Sequence, residues 1–262
     1  MESGYAPGDG TEVYWEAQGG GGTPIVLVHG GYGTTGVVGK LAGALAAGRR
    51  VISVELRGHG HTRDTDAPFS WDSFGTDIAG VIRHLGDGPM DLLGLSLGGG
   101  ASLRCAIGHP ELVRRLVIVS APCRRDAWFP EVLAAFDGMT SALFDMFRQG
   151  PMYTEYVKMA PDPGAFPALM DKTGDLLRQP YDWSSEVAAL RMPTLLAYAD
   201  ADSIPPSHAA QFYGLLGGGL RDAGWDGTGR SAARLAILPG TTHYNIIDSP
   251  LLAQAVADFC AE

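Results

Sequence analysis

Six short, largely apolar runs set the strongest constraint on what this chain can fold into. They lie at residues 25–28, 51–56, 90–95, 116–119, 194–199 and 235–238. Ile25-Val26-Leu27-Val28 shows the type: nothing polar interrupts it, so neither face of the strand it forms can be turned to water. Strands of this kind belong inside a parallel sheet with helices on both sides. Helix-like stretches stand between the runs, at 38–47, 71–85, 97–108, 207–216 and 250–260. Strands alternating with helices imply a mostly parallel, doubly wound α/β sheet. An alternating stretch at 11–17, closed by the glycine run 19–22, reads as an opening strand and turn. Ligands of such sheets sit beyond the carboxyl ends of the strands, so functional residues are expected just after each run.

One interval breaks the alternation. Between Ala121 and Met192 there is no good strand, but Met- and aromatic-rich amphipathic stretches occur at 130–149, 151–159 and 163–178. Prolines 122, 130, 151, 161, 163, 167 and 180 divide them. The interval is too long for a loop and too short for an independent domain. The expected organisation is therefore a core formed by residues 1–121 and 191–262, with residues 122–190 as an inserted helical cap. A polar, glycine-rich stretch at 217–230 reads as a mobile surface loop.

Composition narrows the function classes. With 19 Lys plus Arg against 29 Asp plus Glu, the net charge is −10 and no basic stretch offsets it, which argues against a nucleic-acid or anionic-membrane partner. Cys105, Cys123 and Cys260 are odd in number and form no CxxC pair, so neither a disulfide framework nor a zinc site is indicated, and a reducing compartment follows. The first twenty residues lack a basic start followed by an apolar stretch, and no 18-residue apolar run occurs; a cytoplasmic protein, monomer or homodimer, is expected.

The sharpest motif is Gly94-Leu95-Ser96-Leu97-Gly98, placed where an apolar run meets a helix-like stretch. G-x-S-x-G in that context is a nucleophile elbow, a sharp turn that presents a strained serine. A hydroxyl is a poor nucleophile at neutral pH, so Ser96 needs a base, and the base needs an acid to orient it. His243 directly follows the last apolar run and is the candidate base; His84, His109 and His208 lie on or beside helices and read as surface residues. The acid should follow the preceding strand, where Asp200 and Asp202 both stand. Asp202, deeper in the loop, is favoured, which leaves Asp200 to brace the turn. Charge developing on a substrate oxygen needs backbone N–H donors. His29-Gly30-Gly31-Tyr32-Gly33 follows the first parallel strand, and the N–H groups of Gly31 and Leu97 are the two candidates, with the loop's glycines read as a geometric need.

These residues, together with Glu55-Leu56-Arg57-Gly58-His59-Gly60-His61-Thr62, resemble the α/β-hydrolase fold superfamily along essentially the whole chain. Glu55 and Thr62 stand where the usual D-x-R-G-x-G-x-S pattern has Asp and Ser, which touches only local packing. The resemblance implies a cofactor-free enzyme with Ser96 as nucleophile, His243 as base, Asp202 as acid, and Gly31 with Leu97 as oxyanion donors. It also implies a helical cap at 122–190. Two other patterns count for less. His59-Gly60-His61 with Asp64 is a faint metal motif that lacks ligands, so no metal is expected. Cys123, just after a strand, lacks an activating base and cation and reads as a wall residue.

Serine at position 96 argues against the carboxylate-nucleophile branches of the superfamily. Acyl transfer to water remains, on a small, mainly apolar carboxylic ester or lactone. Tyr32 and the interval's Trp128, Met139, Tyr153 and Tyr156 are candidate pocket residues, with Phe129, Phe144, Met146, Phe166 and Met170 as further apolar lining. A C–C bond hydrolase or a cofactor-free haloperoxidase-like perhydrolase would use the same three residues. A noncatalytic ligand-binding protein on this fold would not need them intact.

Overall fold

The computed structural model describes residues 1–86 and 88–261. Asp87 and Glu262, both inside the expected core, lie outside the described residues. Eight strands, β1 (Glu2–Pro7), β2 (Glu12–Gln18), β3 (Ile25–Val28), β4 (Val51–Val54), β5 (Met90–Leu95), β6 (Val113–Val119), β7 (Thr194–Ala201) and β8 (Arg234–Thr242), form one sheet in the order β1-β2-β4-β3-β5-β6-β7-β8. The first two are antiparallel and the remaining six parallel. No helix among the described residues is long and apolar enough to cross a membrane.

The apolar runs are explained by two separate cores. Val26, Val28, Ile52, Val54, Leu92, Leu116, Ile118 and Leu196 pack on one face of the sheet, against α2 (Trp71–Leu85) and α3 (Leu97–Gly108). Ile25, Leu27, Val51, Leu93, Leu95, Val117, Val119 and Leu195 pack on the other, against α1 (Thr35–Leu45) and α10 (Pro250–Ala261). Successive side chains point to opposite faces, so a strand covered on both sides must be apolar at every position. Helix starts are written locally. Thr34 accepts the Gly36 N–H at the start of α1, and Ser70 and Ser73 form a reciprocal capping box at the start of α2, which ends on left-handed Gly86.

Between β6 and β7 lie α4 (Pro130–Asp137), α5 (Phe144–Phe147), α6 (Pro151–Met159), α7 (Phe166–Arg178) and α8 (Ser184–Ala189); α9 (Pro206–Leu215) follows β7. The amphipathic stretch at 130–149 is divided in two: α4 stops at Gly138, whose N–H returns to the Ala134 carbonyl, and a 3₁₀ turn, Ser141–Leu143, precedes α5. The two ends of the interval run side by side. The Trp183 N–H donates to the Cys123 carbonyl and the Arg125 N–H to the Tyr181 carbonyl, both at 2.9 Å, with Arg124 bridged to Asp182.

Candidate active site

Ser96 is the single residue between β5 and α3, and its backbone takes φ 52°, ψ −115°. A non-glycine residue in that region is strained and persists only where its surroundings hold it. Its N–H donates to the Val119 carbonyl of β6 at 2.9 Å. The turn is also too tight for side chains on its flanks. A Cβ on Gly98 would lie 2.2 Å from the His29 carbonyl oxygen and one on Gly94 2.1 Å from that of Gly98, so both positions exclude every other residue. Ser96 consequently presents its hydroxyl at the amino end of α3.

His243 directly follows β8 and reaches both neighbours. Its Nε2 is 3.0 Å from Ser96 Oγ and its Nδ1 is 2.8 Å from Asp202 Oδ1. Asp202 is bonded at every lone-pair direction: Oδ1 also accepts the Ser203 N–H at 2.8 Å, while Oδ2 accepts the Ala199 N–H at 2.9 Å and the Ser120 hydroxyl at 2.5 Å. Burial alone would push this carboxyl up; the bonds and charge of His243, then Ser120 and Ala199, hold it below the usual carboxylate range. Asp200 is turned away from the histidine and accepts the N–H groups of Gly240 and Thr241.

The loop after β3 packs against the elbow. A Cβ built on Gly30 would sit 3.5 Å from the Ser96 Cβ, and one on Gly31 3.8 Å from the Leu97 side chain, so the Gly31 and Leu97 backbones are neighbours. Leu97 opens α3, where a helix leaves its first N–H groups without intrahelical acceptors. The expectation that every glycine of this loop is a steric need requires correction. Gly31 has room for a methyl, and the left-handed residue of the loop is Tyr32, at φ 58°. Tyr32 is held there by its N–H, which donates to His59 Nε2 at 3.1 Å. His29 repeats the device, accepting the Leu56 N–H on Nε2 and donating from Nδ1 to the Gly30 carbonyl. Burial lowers the first ring to about 4 and the second to about 3, so both act as neutral braces. His61 turns instead to buried Glu55, and Asp64 to Lys172.

Of the candidate pocket residues, Trp128 meets His243, with their rings 5.5 Å apart. Tyr32 meets Phe147 and Phe166, and Phe166 in turn meets Phe144, Tyr153 and Tyr156, which forms a ring cluster against the loop after β3. Phe129 donates its N–H to the Ser203 carbonyl, next to Asp202. Met170 is fully buried, while Met139 is half-buried at the end of α4, where its carbonyl accepts from Arg178. Met146, expected in the lining, is 62% exposed because α5 turns it outward.

His208 is a second correction. Expected at the surface, it is 3% exposed, and its Nε2 accepts the Cys123 N–H at 3.4 Å beside a cavity of about 350 Å³ that Cys123, Arg124 and Ser184 also line. Burial raises the Cys123 thiol to about 11 and, with Arg124, lowers His208 to about 4, so the two face each other uncharged. Ser120 was not singled out by sequence. Its one available signal was position, directly after a strand that neighbours the elbow.

A model of the alpha/beta hydrolase fold matches residues 23–177. The chain belongs to this family. Over 275 residues it is 26% identical to a pimeloyl-[acyl-carrier protein] methyl ester esterase of Yersinia enterocolitica, covering 96% of the chain and 98% of that protein. Over 106 residues, 39% of the chain and 38% of the relative, it is 39% identical to a 2-hydroxymuconate semialdehyde hydrolase of Pseudomonas sp. strain CF600. A solved structure of a thermophilic esterase from Thermogutta terrifontis superposes with a TM-score of 0.75 at 20% identity, covering 100% of the chain and 98% of that structure. The family match takes in Gly31, Ser96, Leu97 and Trp128 of this α/β hydrolase; Asp202 and His243 lie beyond its end.

Proposed function

We propose that the protein is a serine hydrolase that cleaves a carboxylic ester or lactone of a small, mainly apolar substrate through an acyl-enzyme. The observation that carries this reading is the unbroken relay from Ser96 Oγ to His243 Nε2 and from His243 Nδ1 to Asp202, at 3.0 and 2.8 Å. Ser96 Oγ attacks the carbonyl carbon while its proton passes to His243 Nε2, and Asp202 stabilises the imidazolium. The carbonyl oxygen takes up negative charge and is received by the Gly31 and Leu97 N–H groups. Collapse of the tetrahedral intermediate breaks the ester C–O bond, with His243 returning its proton to the leaving alkoxide. Water, deprotonated by the same histidine, then releases the acid and restores Ser96.

In this reading residues 122–190 are a cap over the site, supported by the contacts of Trp128 with His243 and of Phe147 and Phe166 with Tyr32. The aromatic character of those contacts favours an apolar acyl or alcohol group. The full-length similarity to an enzyme named as a methyl ester esterase supports the same chemistry. The local similarity to 2-hydroxymuconate semialdehyde hydrolase favours a second reading, C–C bond hydrolysis by the same three residues.

A panel of p-nitrophenyl esters from acetate to decanoate, run with an acyl-homoserine lactone and with fluorophosphonate labelling, separates these. Ester turnover with an adduct on Ser96 is the expected result. Labelling of Ser96 without turnover of any ester or lactone moves the assignment to C–C hydrolysis. Folded protein that does not label at Ser96 is a binding protein on this fold.

A further inference from the structure

We propose that Ser120 is a positioning residue of the Ser96 site: its hydroxyl holds the outer oxygen of the Asp202 carboxylate and thereby sets how strongly that carboxylate draws a proton onto His243. The inference rests on the reading of Ser96, His243 and Asp202 given above.

Four groups donate to Asp202. Two are backbone N–H groups of Ala199 and Ser203, one is His243, and the fourth is Ser120 Oγ, whose contact of 2.5 Å is the shortest of the set. The backbone donors come with the fold. Ser120 alone is a side chain with no other part in the relay. It is fully buried, and it is the first residue after β6, with its N–H on the Ala197 carbonyl of β7 at 2.9 Å. Its backbone has φ 50°, where glycine would sit without strain. A serine held there keeps a conformational cost, and what the site receives in return is the hydroxyl on Asp202.

That hydroxyl has two separable effects. It fixes the carboxylate plane so that Oδ1 faces His243 Nδ1, and it spreads the carboxylate's negative charge, which weakens the pull on the imidazolium. Other groups facing the pair are fixed in state or bound elsewhere. Tyr198 of β7 is buried, with its phenol pushed far up by burial and its hydroxyl donated to the Ala121 carbonyl. Asp200 is bound to Gly240 and Thr241, Trp128 and Tyr244 present rings to His243, and Ser96 Oγ lies on its far nitrogen.

The test is the rate of fluorophosphonate labelling of Ser96, followed from about pH 5 to about pH 9. Wild type, Ser120→Ala and Ser120→Gly are compared, with folding checked by thermal denaturation. Glycine relieves the left-handed strain, so one variant lacking the hydroxyl folds even where alanine does not. Both variants should move the labelling midpoint up by about half a pH unit, because a less stabilised carboxylate raises the proton affinity of His243, and should slow the plateau rate about tenfold. A slower plateau with an unmoved midpoint leaves Ser120 as packing alone and overturns the proposal, as does wild-type behaviour in both variants. Wild type that fails to label overturns the reading of Ser96 itself, a result distinct from either.

Discussion

Asp200 and Gly240 are joined by a hydrogen bond of 2.9 Å, from the Gly240 N–H to the Asp200 carboxylate, whose other oxygen accepts the Thr241 N–H at 3.1 Å. These two bonds fasten the end of β7 to the residues that lead into His243, and they hold the Asp200 carboxyl below its ordinary range. Two aspartates two positions apart thus do different work: one binds the histidine's backbone approach, the other its ring.

Replacement of the two should separate cleanly. Asp202→Asn removes the partner that fixes His243 Nδ1–H and should lower turnover by roughly 10⁴-fold, the scale seen when a triad acid is neutralised. Asp200→Asn keeps one acceptor for the loop and should cost less than about tenfold, since the ring and its acid are left in place. Steady-state rates of the two variants on one ester check this, and a larger loss at Asp200 would reverse the assignment.

The glycines beside Ser96 differ in what they tolerate. Gly98→Ala drives a methyl to 2.2 Å from the His29 carbonyl oxygen, inside two packed backbone segments, and should yield insoluble or strongly destabilised protein. Gly31→Ala places its methyl at 3.8 Å from Leu97, in ordinary contact, and should fold with a melting temperature near that of wild type. Soluble yield and thermal denaturation of the two read the contrast.

Phe166 is the hub of the aromatic cluster, within 4.9 to 6.2 Å of the rings of Tyr156, Tyr153, Tyr32 and Phe144. Phe166→Ala should cost about 3 to 5 kcal/mol of stability through the cavity it leaves. Because that cavity opens against Tyr32, in the loop after β3, the rate on decanoate relative to acetate esters should rise. Denaturant melts and the chain-length profile are the two measurements.

Stability should fall as pH drops from 6.5 toward 4. His29, His59 and His208 are held neutral, with burial lowering them to about 3, 4 and 4, whereas the unfolded chain protonates each near 6.5. Across that window the unfolded state takes up protons that the fold refuses, so each histidine withdraws on the order of 3 kcal/mol as the pH falls. Glu55 opposes them, since burial raises its carboxyl and it favours the fold as it gains a proton. His208→Asn removes one of the three and should flatten the fall in unfolding free energy between pH 6.5 and 4; an unchanged slope would show that this imidazole is charged in the fold.

Much of the architecture was legible because it follows from burial. A strand covered on both faces writes itself as an apolar run, as at β3 and β5, and the elbow at Ser96 announces its sharp turn through its flanking glycines. What escaped was whatever leaves no pattern. β1 is an antiparallel edge strand with only Ala6 buried, so it has neither a run nor a useful alternation. His208 is polar and helical, which reads as exposed, yet its ring satisfies the Cys123 N–H inside the fold. Ser120 is one serine after one strand. Its importance comes from a carboxylate 82 positions later, a separation that no local pattern encodes.

Ser96 and the histidine that would activate it are 147 positions apart, with the seven helices α3 to α9 and the strands β6, β7 and β8 between them. During synthesis β3, β5, α3 and β6, the elements that hold the elbow, all emerge ahead of His243, so the hydroxyl would meet its proposed base only once β8 docks at the far edge of the sheet. Until then the nascent chain carries an inert alcohol. In the proposed mechanism hydrolytic capacity waits for β8, which begins at Arg234, so a polypeptide clipped before β8 would lack the histidine and its chemistry.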